Sequence, residues 1–76
     1  MNVKDRNGKT PLREAAFGGQ KEVAELLIAN GAEVNAKDKR GSTPLDSAIF
    51  WNHSETEDFL RKHGGKTAEE LKAEGK

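Results

Sequence analysis

The stretch GKTPLREAAFGG, residues 8–19, admits two readings with different consequences. Its first three residues are the end of a phosphate-gripping loop, G-x-x-x-x-G-K-[ST], in which backbone N–H groups wrap phosphate oxygens before the Lys arrives. From Thr10 onward the same stretch reads as a helix start. Thr10 can accept a bond from an orphan backbone N–H, and Pro11 occupies the first helical position, where a missing N–H costs nothing. Ala15 and Ala16 allow close helix approach, and Gly18-Gly19 ends the helix after about two turns. The loop reading fails on spacing. Five residues before Gly8 stands Val3, and five before the second Gly-Lys-Thr, residues 65–67, stands Leu60, so both copies lack the first glycine.

The helix reading gains from repetition. Shifting the chain by 33 residues, Asp5 onto Asp38, superposes Gly8 on Gly41 and Thr10-Pro11-Leu12 on Thr43-Pro44-Leu45. It also superposes Ala15 on Ala48, Phe17 on Phe50, Glu22 on Glu55, Leu27 on Leu60 and Gly31 on Gly64. A period of this length is the mark of a stacked array. Within each unit a second helix follows, over residues 21–30 in the first, with Val23, Leu26, Leu27 and Ile28 as its apolar side and Gly31 as a left-handed stop. The polar AEVNAKDKRG, residues 32–41, reads as a turn between units. Asn35-Ala36-Lys37-Asp38 has its counterpart in Asn2-Val3-Lys4-Asp5, so residues 1–4 read as the end of a preceding unit.

Together these features resemble the ankyrin repeat family. Its T-P-L-H-x-A element stands as Thr10-Pro11-Leu12-Arg13-Glu14-Ala15 and again as Thr43-Pro44-Leu45-Asp46-Ser47-Ala48. The family's histidine is replaced by Arg13 and Asp46, and an Arg13–Asp46 contact between units is one substitute for its bonds. The resemblance implies an all-α solenoid of stacked helix-turn-helix units with projecting β-turn fingers. Its expected divisions are residues 1–4 as the end of a preceding repeat, 5–37 and 38–65 as two repeats, and 66–76 as a short capping helix. The second repeat reads as a cap because Thr56, Glu57 and Arg61 replace Val23, Ala24 and Ile28, giving a polar outer face. In the tail, Thr67 and Glu70 form a T-x-x-E capping box, with Leu71 its large apolar residue and Gly75 its stop.

Composition narrows the function. Six Leu, two Ile, three Val and three Phe are a thin supply for a core in a 76-residue chain, although 13 basic residues balance 13 acidic ones and self-repulsion is absent. Without cysteine there is no disulfide or thiolate metal site. His53 and His63 lack a ligand pattern around them, so no metal or other cofactor is expected. No apolar run spans a bilayer and no signal peptide is visible, which predicts a cytoplasmic protein with no membrane partner. A net charge of zero argues against nucleic acid.

The resemblance further implies a non-catalytic module that binds a protein through turn tips and the outward side of the first helices. Those positions are Arg6, Asn7, Lys9, Phe17 and Gly18 in the first unit, and Lys39, Arg40, Ser42, Phe50 and Trp51 in the second. Aromatic side chains dominate binding where they are desolvated, although Phe17 and Phe50 could equally cover the edge of a thin core. Basic turns set against acidic second helices favour an acidic or aromatic-accepting protein partner. A second reading is a self-associating unit, joined through the aromatics or through an uncapped N-terminal repeat face, either a fragment of a longer array or engineered. A nucleotide-binding enzyme is a remote third.

Overall fold

The computed structural model describes residues 10–75. It contains α1 (Pro11–Phe17), α2 (Lys21–Ala29), α3 (Pro44–Phe50), α4 (Ser54–Lys62) and α5 (Ala68–Gly75). No strand occurs among the described residues.

Each first helix starts where Thr and Pro dictate. Thr10 Oγ1 accepts from Arg13 N at 3.2 Å, and Thr43 Oγ1 accepts from Asp46 N at the same distance. Asp46 returns a bond to Thr43 N at 3.0 Å and completes a capping box, which Arg13 at the matching place in α1 cannot do. Each such cap contributes about 1 kcal/mol. Glycines in the left-handed region follow the helices, Gly19 at φ 68° after α1 and Gly31 at φ 93° after α2. The second helix ends one residue earlier than its pattern predicts, because Asn30 turns out of the helix and bonds its side-chain amide to Leu26 O at 2.8 Å.

α1 packs on α3 and α2 on α4, while each first helix also packs on its own second helix. Leu12, Leu45 and Leu60 are fully buried at the centre, surrounded by Ala15, Ala16, Ala24, Leu27 and Ala48. The many alanines let the helices approach closely and make a few leucines suffice.

The apolar side of α2 differs from the expectation. Ala24 and Leu27 are buried and Ile28 is partly so, but Val23 is 43% and Leu26 63% exposed. One helix has two lateral flanks in a stack, and a hydrophobic count around α2 does not say which flank has a neighbour. The second unit makes the reason visible. Thr56, the counterpart of Val23, is 1% exposed, so it lies not on a polar outer face but under the first helix pair. Glu57 is partly exposed and Arg61 is exposed, as expected of a polar outer face.

The segment leading into α5 is held by polar bonds. Asn35 donates to Gly64 O at 3.0 Å and accepts from Lys66 N at 2.8 Å, and Thr43 Oγ1 donates to Lys66 O at 2.6 Å. Asp46 Oδ2 accepts from Ala68 N at 2.8 Å, and Arg61 pairs with Glu70 at 2.9 Å. The Thr67–Glu70 capping box forms as its sequence predicts. α5 has no buried residue, and Leu71 is only partly covered.

This anchoring makes the end of the chain acid-sensitive. The Thr67 N–H and then the Arg61 guanidinium hold the Glu70 carboxyl below the ordinary carboxylate range. A depressed native value means that the unfolded chain takes up the proton first. The contribution is therefore complete above the unfolded value of about 4.3 and is lost as pH falls through the lower native one. Wild type is expected to exceed Glu70→Gln in urea midpoint at pH 6, with the difference shrinking as pH falls below about 4.3 and vanishing below the lower native value. A pH-independent difference would remove the charge from this account.

Candidate functional site

The turn between the helix pairs is built by Asp38. Its Oδ1 accepts from Arg40 N and Ser42 N, both at 2.9 Å, and its carbonyl accepts from Gly41 N at 2.9 Å. Gly41, at φ 84°, supplies the left-handed step that lets the chain reverse. The turn therefore projects as a finger, held largely by one carboxylate.

The same carboxylate faces Arg13. Arg13 Nε lies 3.7 Å from Asp38 Oδ2, too long for a hydrogen bond, and the buried Nε has no such partner among the described residues. Arg13 Nη1 bonds Glu14 at 3.0 Å, and its guanidinium carbon lies 4.8 Å from the Phe17 ring centroid. The Arg13–Asp46 contact considered from the sequence does not form: the Arg13 guanidinium lies against Asp38 and Glu14, while Asp46 Oδ2 serves the cap of α3 and Ala68 N. Arg13 thus joins the first helix pair to the following finger rather than to the following helix.

Between finger and first helices runs an open groove of about 660 Å³. Its aromatic wall is continuous: Phe17 and Phe50 each meet Trp51 edge-on, with ring centroids 5.0 Å apart in both pairs. Phe17 is 40%, Trp51 48% and Phe50 75% exposed, and none of the three belongs to the core cluster. The wall is positioned by α1 and α3, whose C-terminal ends it covers. His53 ties those ends together by donating from Nε2 to Phe17 O at 3.0 Å.

Of the residues singled out in the sequence, Phe17, Arg40, Ser42, Phe50 and Trp51 line this groove together. Lys39 is exposed in the finger but does not line it, and Arg6, Asn7 and Lys9 lie outside the described residues. Ile49, Asp46 and Glu69 also line it. Ile49 had a readable signal, since its counterpart is the small Ala16. Glu69 had none, as its position depends on where α5 comes to rest.

The second Gly-Lys-Thr, with its flanking residues, offers little to a phosphate. The N–H groups of residues 64–68 are bonded in turn to Arg61 O, Leu60 O, Asn35 Oδ1, Glu70 Oε1 and Asp46 Oδ2. Among the described residues, no three His, Cys, Asp or Glu side chains gather as a metal site. No helix among them is long and apolar enough to cross a membrane.

No curated protein matches the chain. A family model described as "Ankyrin repeats (3 copies)" matches residues 1–70, which spans all four core helices and the start of α5. The chain belongs to the ankyrin repeat family, whose repeats are generally protein–protein interaction modules and typically non-catalytic.

Proposed function

We propose that the groove receives a segment of a partner protein, with Phe17, Phe50 and Trp51 as anchors. Lys39, Arg40 and Ser42 supply polar contacts from the finger, and the resemblance to the family adds Arg6, Asn7 and Lys9 to that set. The single observation that carries this reading is the aromatic wall. Three contiguous rings stay between 40% and 75% exposed although the core is short of large apolar side chains. Folding alone would draw them inward.

The test is a random dodecapeptide library displayed on phage and selected on the wild-type chain. Peptides so enriched are expected to lose at least tenfold in affinity for the Phe50→Ala/Trp51→Ala variant, since exposed aromatic anchors contribute about 1–4 kcal/mol each when buried by a partner. Both side chains lie outside the core cluster, so the variant should keep its fold by circular dichroism. Retained affinity would move the site elsewhere.

A second reading, self-association, is favoured by the open flank of α2. Val23 and Leu26 are exposed where their counterparts Thr56 and Phe59 are buried or partly so. Mass measured across concentration should show a dimer at high micromolar levels that Leu26→Glu abolishes. A monomer throughout would discard this reading.

A further inference from the structure

We propose that the segment received by the groove carries Lys or Arg beside its apolar side chains; this rests on the groove being the binding site. Two features argue for it independently.

First, the aromatic wall lies at two helix C-termini. Phe17 ends α1 and Phe50 ends α3, and neither helix has a basic residue in its last turn. A helix C-terminus carries partial negative charge that is screened within about one turn, and a cation is its natural complement. Exposed indole and phenyl rings attract the same cation through their π faces. Arg13 already serves the Phe17 ring, whereas Trp51 and Phe50 have no cation over them among the described residues.

Second, the charges left open among the described residues that line the groove are predominantly acidic. Arg13 is engaged by Asp38 and Glu14, so it is not available to a ligand. Glu69 makes no ion pair with the described residues, and Asp46 Oδ1 takes no hydrogen bond from them, its Oδ2 carrying the whole structural load. Against these stands Arg40, whose guanidinium also lacks an ion pair among the described residues. Among the described residues that line the groove, two open carboxylates and the C-terminal end of α3 outweigh one guanidinium, the Phe17 carbonyl at the end of α1 being already met by His53. The acidic partner expected from the basic turns would meet this surplus as it entered, so complementarity favours the opposite sign.

The dodecapeptide selection reads this out through the composition of the winners. Wild type should enrich peptides with Lys or Arg within two residues of an aromatic or aliphatic side chain. Glu69→Lys, on an exposed residue that makes no structural bond among the described residues, should bind those peptides at least fivefold more weakly, and added salt should weaken wild type more than the variant. Trp51 is the only tryptophan of the chain, so its emission reports occupancy directly. Winners that are neutral or acidic, or that bind Glu69→Lys as tightly as wild type, overturn the inference while leaving the groove in place. If wild type enriches no peptide that Phe50→Ala/Trp51→Ala loses, both the groove and its proposed occupant fall.

Discussion

Leu45→Ala should cost about 2–5 kcal/mol and lower the urea midpoint markedly. Leu45 is fully buried on α3, which packs against both α1 and α4, so the cavity left would open at the junction of the two helix pairs. A chain of 76 residues has a total stability of about 4–11 kcal/mol, and a loss of this size removes a large share of it. The informative comparison is Leu26→Ala, which deletes the same atoms from a side chain that is 63% exposed. At low micromolar concentration, where self-association does not intrude, it should change stability by no more than about 0.5 kcal/mol. Urea unfolding followed by circular dichroism measures both. Equal losses would show that the two leucines do not differ in burial as described.

Gly19→Ala should be the most damaging of the glycine substitutions in the left-handed positions, at about 2–3 kcal/mol. One part is backbone strain: at φ 68° a Cβ costs about 1–2 kcal/mol. The other is collision. An added Cβ would lie 2.5 Å from His53 Nδ1 and 2.7 Å from Cγ, forcing the ring away from Phe17 O and breaking a bond that contributes about 0.5–1.5 kcal/mol. Gly31→Ala separates the two parts, since Gly31 has φ 93° but nothing within 4 Å of its added Cβ. It should show the strain alone. The double variant Gly19→Ala/His53→Ala should be more stable than the sum of its singles predicts by about 1 kcal/mol, because removing the ring removes the collision. Additivity would mean that His53 does not fill the space beside Gly19. Loss of the His53 bond should also shift Trp51 emission, since Phe17 and Trp51 touch across the same junction.

Much of the architecture could be read without coordinates because it rests on local chemistry. Thr-Pro pairs start helices, glycines in the left-handed region stop them, and both act within a few residues of themselves. A T-x-x-E capping box likewise closes on itself. The shared period then placed Phe17 and Phe50 at equivalent sites, and the Gly18-to-Trp51 difference marked the indole as an addition to the pattern.

What could not be read depends on neighbours distant in the chain. Val23 and Leu26 count as apolar on a helical wheel, yet burial requires an element on that flank, and only packing decides which flank has one. Arg13 meets Asp38 instead of Asp46 because the turn that Asp38 itself holds sets that carboxylate beside the guanidinium. Glu69 enters the groove because Asn35, Thr43, Asp46 and Arg61 fix the path of the chain into α5, through bonds that cross 22 to 31 residues or join side chains nine apart. The sequence by itself determined the helices, their caps and the repeat, whose causes are short-range. The tertiary structure alone decided which side chains share a surface and with what charge, since those follow from how the helices and their polar anchors fill the same space.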